Sequence, residues 1–159
     1  MPILAATQDR GMIPRSETGL DIKSSEKSVN SYKIVDSGDF VISLRSFQGG
    51  IEYSENKGIC SPVYTILKPK LPIADGFYKA LFKTKDFIEG LSATVIGIRD
   101  GKQISYSAFS TLRLPHPSHK EQIKIASFLN SIDEKISNAK SQLEAMKQYK
   151  QGLLQQMFV

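Results

Sequence analysis

The sequence predicts an α+β domain followed by a long helical rod, and three observations lead there. Short apolar runs separated by Gly, Pro, Asp and Ser turn signals fill residues 1–113. A strict apolar repeat with steps of four and three occupies 118–159, and a Pro-containing link, 114–117, stands between the two. With 159 residues and 40% hydrophobic side chains, the chain has material for one core plus an appendage.

Within 1–113 the N-terminal stretch Thr7-Gln8-Asp9-Arg10-Gly11-Met12-Ile13-Pro14-Arg15-Ser16 is polar and punctuated by glycine, the composition of a surface loop. Asp36-Ser37-Gly38 then introduces a strand, Asp39 to Arg45, closed by Gln48-Gly49-Gly50. Pro62 to Leu67, rich in β-branched and aromatic residues, reads as a neighbouring strand that Lys68-Pro69 stops. Between Gly76 and Gly90, the spacing of Phe77, Tyr78, Leu81, Phe82, Phe87 and Ile88 fits short helices packed on a sheet. Thr94 to Ile98 and Gln103 to Tyr106 read as strands joined by an Asp100-Gly101 turn, with helix or loop as the alternatives.

Pro115 and Pro117 keep a helix from starting before Ser118, and Ser118-His119-Lys120-Glu121 has the form of a capping box. From there Ile125, Leu129, Ile132, Ile136, Ala139, Leu143 and Met146 recur at alternating steps of four and three, and Leu153 and Met157 resume the register. That is the narrow seam of a coiled coil rather than the broad stripe of a helix lying on its own domain. A rod of this length needs another helix on its seam, from a second copy or a different protein. The competing arrangement folds the helix back on its own domain.

Composition excludes several classes. The 21 Lys and Arg against 16 Asp and Glu give a net charge of +5, which permits a polyanionic partner without demanding one. A lone cysteine, Cys60, allows no internal disulfide framework and fits a reducing cytosol; His116 and His119 have no ligand cluster around them. The first residues lack a basic n-region, and no apolar run approaches the ~18 residues of a membrane span. A cytoplasmic, membrane-free protein is the expectation. Gly-x-Gly-x-x-Gly, Gly-x-Ser-x-Gly and His-Glu-x-x-His are absent. Gly101-Lys102 has Ile96 where a phosphate loop needs glycine, and Ser61-Pro62-Val63-Tyr64 misses the base-holding tetrad of amino-methyltransferases at its third position. It reads as the start of a strand, and the chain is expected to be no enzyme.

Two segments are specific enough to suggest a family. Gly38 to Glu52 followed by Gly58 to Leu67 resembles the target recognition domain of type I restriction-modification specificity subunits. Leu112-Arg113-Leu114-Pro115-His116-Pro117 with Glu121-Gln122, Ile125-Ala126, Phe128-Leu129, Ile132-Asp133 and Ile136 is similar to the link and spacer helix that follow each such domain. Family members usually carry two recognition domains and two antiparallel helices, so a chain with one of each looks like a half subunit. The resemblance implies a non-catalytic reader of one half of a split site in double-stranded DNA. It also implies a homodimer or pairing with another half subunit through Ile125, Leu129, Ile132, Ile136, Ala139, Leu143, Met146 and Leu153. The implied partners are a modification (methyltransferase) subunit, which would hold S-adenosylmethionine, and a restriction or motor subunit.

Lys and Arg supply salt-dependent attraction to phosphates, while base edges are read by Arg, Lys, Asn, Gln, Ser or Thr in the major groove. The candidates are Gln8, Arg10 and Arg15 in the N-terminal stretch, Lys23 and Lys27 in the next polar run, Arg45 and Gln48 at the strand end, and Arg99 and Lys102 at the Asp-Gly turn. Each has a plainer reading as a solvated loop or turn residue. A protein-interaction adaptor working through the helix, without DNA binding, is the alternative function.

Overall fold

The computed structural model describes residues 1–19, 31–94 and 104–158. Its sheets are small and antiparallel. Strands β1 (Leu4–Thr7) and β2 (Gly11–Pro14) form a hairpin, β3 (Lys33–Val35) pairs with β6 (Gly58–Cys60), and β4 (Phe40–Ile42) lies between β5 (Glu52–Tyr53) and β7 (Thr65–Leu67). Short helices span Ser46–Gly49, Asp75–Leu81, Lys85–Ala93 and Tyr106–Ser110, and the last helix runs from His119 to Met157. The α+β class with its long terminal helix is therefore the observed architecture.

Strand β4 organises the core because its side chains alternate between two faces. Phe40 and Ile42 enter one cluster with Ile51, Phe77, Tyr78, Phe82, Phe87 and Leu91, while Val41 enters another with Leu4, Met12, Val35 and Cys60. Phe82 is central to the first, with ring centroids 5.2 Å from Phe40 and 4.8 Å from Phe87. The expected neighbours pair in antiparallel register, Phe40 opposite Leu67 and Ile42 opposite Thr65.

Several boundaries differ from the sequence reading. The strand predicted over Asp39 to Arg45 stops at Ile42, because the Ser46 hydroxyl accepts the Ser43 amide at 2.9 Å and turns the chain into the Ser46–Gly49 helix. Ser61 to Tyr64 is a turn closed by Tyr64 N–H donating to the Ser61 carbonyl at 3.1 Å, so that strand begins only at Thr65. The N-terminal stretch is not a loop throughout, since its apolar residues build the β1–β2 hairpin and leave only Gln8-Asp9-Arg10 at the tip. The predicted hairpin after Thr94 falls mostly outside the described residues. At its edges Thr94 is the C-cap of the Lys85–Ala93 helix, and Tyr106 opens a helix whose N-cap, Ser105, accepts the Ala108 amide. Local capping by a hydroxyl outweighs strand propensity there.

The long helix starts where Ser118 accepts the Glu121 amide through its hydroxyl at 3.3 Å. Its 39 residues extend roughly 60 Å. Only its first turns dock: Gln122 and Ala126 are buried, Ile125 packs against the larger core cluster, and Ala126 lies so close to Gly76 that a Cβ there would meet its methyl at 3.0 Å. Gln122 is fully buried, its amide oxygen accepting from Ala74 N–H at 3.0 Å and its amide nitrogen donating to the Pro117 carbonyl at 2.9 Å. From Ser131 on, Gly152 is the one described residue of the helix that is not exposed, and the helix continues through it.

Candidate nucleic-acid interface

Charge compensation separates two regions of the head. The first is a cleft of about 690 Å³ between the β1–β2 tip, the Asp75–Leu81 helix and the start of the long helix, with Gln8, Arg10, Glu52, Lys79, Lys83 and Asp133 among its lining. Its cations are engaged. The Lys83 amine donates to both carboxylate oxygens of Glu52 at 2.7 and 2.8 Å, and to the carbonyls of Gln8 and Gly49. Lys79 pairs with Glu55 at 2.9 Å and sits 4.7 Å from the centre of the Tyr53 ring. Burial pushes the Glu52 carboxyl upward, and the Lys83 ammonium opposes that shift. This is a structural tie: it binds the hairpin tip to the end of the Ser46–Gly49 helix.

The second region is basic and aromatic. Arg15 donates to the Tyr32 hydroxyl at 3.3 Å with its guanidinium 5.9 Å from that ring's centre. The Lys33 amine donates to the Tyr64 carbonyl at 2.6 Å. Burial raises the Tyr64 phenol, while a bond with the Ala6 backbone and the charges of Arg15 and Arg45 pull it down. Among the described residues Arg15, Lys33 and Arg45 make no ion pair with a carboxylate. Uncompensated cations beside aromatic faces are what a phosphate backbone seeks, because neutralising phosphates releases counterions. By contrast Lys57 and Lys68 converge on Asp36, whose carboxyl they hold down at about 2.

The candidate residues divide accordingly. Arg15 lies beside Tyr32 in the basic region, and the charge of Arg45 acts on Tyr64. Gln8 and Gln48 lie on adjoining segments, since a Cβ on Gly49 would strike the Gln8 side chain at 2.6 Å, and both glutamines are exposed. Arg10, at the hairpin tip, donates to the Glu17 carbonyl at 3.2 Å and lies 3.9 Å from Asp9. Lys23, Lys27, Arg99 and Lys102 lie outside the described residues. Sequence reasoning did not place Tyr32, Lys33 or Tyr64 among the candidate DNA contacts, and it met Tyr64 only in the near-miss tetrad and Gln122 only in the spacer-helix motif. The aromatic members carried no local signal, because only the pairing of β3 with β6 and the turn before β7 bring them beside Arg15.

Of the helix seam, Ile125 and Leu129 are half-buried, Leu129 at the cleft, whereas Ile132, Ile136, Ala139, Leu143, Met146 and Leu153 are exposed. Among the described residues no three His, Cys, Asp or Glu side chains gather as a metal set, and no helix is long and apolar enough to cross a membrane.

Comparison with known proteins gives this arrangement a family. The family model described as Type I restriction modification DNA specificity domain matches residues 2–148. The Type I restriction enzyme MjaIX specificity subunit of Methanocaldococcus jannaschii is 27% identical over 137 residues, covering 85% of this chain and 32% of that protein. The MjaVIII specificity subunit of the same organism is 25% identical over 132 residues, covering 83% of this chain and 31% of the relative. The chain thus spans about one third of the length of the relatives it matches. Since the match takes in the core strands, the basic region and most of the long helix, the chain belongs to the type I restriction modification DNA specificity domain family.

Proposed function

We propose that this chain reads one half of a split target in double-stranded DNA, as a specificity component of a type I restriction-modification complex with no catalysis of its own. The observation that carries the reading is the group of Arg15 and Lys33 with Tyr32 and Tyr64, in which neither cation pairs with a carboxylate among the described residues, with the charge of Arg45 also acting on Tyr64. In this reading those residues hold the phosphate backbone, and Gln8, Arg10 and Gln48 on the adjoining segments face base edges. The long helix pairs with a second helix, spaces two reading heads and docks a modification (methyltransferase) subunit. That subunit, which would bind S-adenosylmethionine, performs the methylation. A restriction or motor subunit completes the assembly.

The test compares binding to a cognate duplex, selected from genomic fragments, with binding to random duplex across a salt series. Arg15→Ala and Arg45→Ala are expected to weaken both by similar factors and each to lower the salt slope by about one. Gln48→Ala is expected to weaken cognate binding alone, by roughly 1–3 kcal/mol. Unchanged salt slopes in both arginine variants would remove the basic region from the interface. Failure of the wild-type chain to bind any duplex would favour the adaptor function instead.

A further inference from the structure

We infer that Lys83, held by Glu52, is a positioning residue for base recognition: its ammonium fixes the hairpin tip that carries Gln8 against the helix end that carries Gln48. It thereby sets discrimination between sequences without touching DNA. This role presupposes the DNA-reading function proposed above.

Three segments meet at this ammonium. It donates to the two Glu52 carboxylate oxygens at 2.7 and 2.8 Å, to the Gly49 carbonyl at 2.8 Å and to the Gln8 carbonyl at 3.3 Å. An ammonium has three hydrogens, so four acceptors leave it none for a phosphate. Glu52 is only 2% exposed, whereas Gln8 and Gln48 are both exposed. The charges are thus spent inside the head, and the two side-chain amides face outward from it.

The junction is built on the core. Lys83 lies in the corner between the Asp75–Leu81 and Lys85–Ala93 helices, beside the buried Phe82, where its own amide donates to the Ala80 carbonyl and the Thr84 amide to the Leu81 carbonyl, both at 3.0 Å. Gly50 presses on that corner. Its φ of +78° is left-handed, and a Cβ there would overlap the Phe82 carbonyl. The Ser92 hydroxyl donates to the Phe47 carbonyl at 2.5 Å and so holds the Ser46–Gly49 helix from the Lys85–Ala93 side. At the hairpin tip, the Thr7 hydroxyl donates to the Gly11 carbonyl and accepts from the Arg10 amide, which sets the shape of the turn. Its place beside the helix comes from the Lys83 amine and from the contact of the Gln8 side chain with Gly49, where a Cβ would stand 2.6 Å from it. Side chains that read neighbouring base edges must keep their spacing to better than about 1 Å, and this tie supplies that spacing.

Binding of the full chain to cognate and random duplexes across a salt series tests the role. Lys83→Met is combined with Glu52→Gln, which removes both charges and leaves neither buried alone. The double variant is expected to lower the ratio of cognate to random affinity roughly tenfold with its salt slope unchanged. In its background Gln48→Ala is expected to cost no more than about twofold further, because the misaligned amide has little left to lose. Gly49→Ala disturbs the same junction with both charges in place, by pushing the Gln8 side chain aside, and is expected to lower the ratio at an unchanged salt slope. Should the double variant melt below the assay temperature, Gly49→Ala decides. A salt slope lower by about one in the double variant would make Lys83 a phosphate contact. That result, or a cognate preference kept by the folded double variant or by Gly49→Ala, would overturn the inference and leave the proposed function standing. A wild-type chain with no preference among duplex sequences would remove both.

Discussion

The head and the far part of the long helix have comparable apolar residues but opposite fates for them. In the head Phe40, Ile42, Leu91 and Phe82 are almost wholly buried, with several rings in edge or tilted contact, whereas Ile136, Leu143, Met146 and Met157 on the helix face water. Burial of apolar area is the main favourable term in folding, so the head holds itself together, whereas the helix beyond Asn130 leaves its seam uncovered. The contrast teaches that one chain can contain a body that buries its own apolar side chains and an arm that leaves its own exposed. Where the two meet, Gln122 and the Gly76–Ala126 contact fix the arm to the body.

Three measurements break or sharpen that contrast. Phe82→Ala empties the centre of the larger core cluster and is expected to cost about 3–5 kcal/mol. Leu143→Ala in a dilute, unassociated sample is expected to change the melting of the head by no more than about 0.5 kcal/mol. Equal losses in chemical denaturation would refute the division between body and arm. At the junction, Gln122→Ala leaves the Ala74 amide and the Pro117 carbonyl without their partner and is expected to cost about 1–3 kcal/mol. Amide exchange should then accelerate first in Glu121 to Asn130, and unchanged exchange there would show that the side chain does not hold the junction.

A further effect is electrostatic. Lys68 and Lys57 hold the Asp36 carboxyl at about 2 against an ordinary 3.8. A depressed carboxylate stabilises the folded state above its unfolded value and loses that contribution as pH falls from 3.8 toward 2. Denaturant midpoints of wild type and Asp36→Asn are thus expected to differ near neutral pH and to converge within that acid window, where a persistent gap would assign Asp36 a non-electrostatic role.

How much of this was legible in the sequence depends on the range of the interaction. The start of the long helix was legible, because two prolines and the Ser118 hydroxyl act within one turn. The strand Phe40–Ile42 and its pairing with β7 were legible from β-branched and aromatic runs, but its early end was not, since the Ser43 amide donating to the Ser46 hydroxyl is a local bond that competes with strand propensity rather than following from it. The hairpin over Leu4–Pro14 was masked by its polar tip. Of the candidate interface, Arg15 and Arg45 were identified as single cations, while Tyr32, Lys33 and Tyr64 were not, because their importance lies in being brought beside those arginines.

By itself the sequence determined the class, the place where the rod begins and the repeat along its seam, since propensity, capping and periodicity act between residues a few positions apart. Only the tertiary structure decided which cations pair with a carboxylate among the described residues and which do not. Lys79 and Lys83 found carboxylates across strands and helices distant in sequence, whereas Arg15 met Tyr32. Charge compensation is a matter of distance in space, and a linear pattern does not contain it.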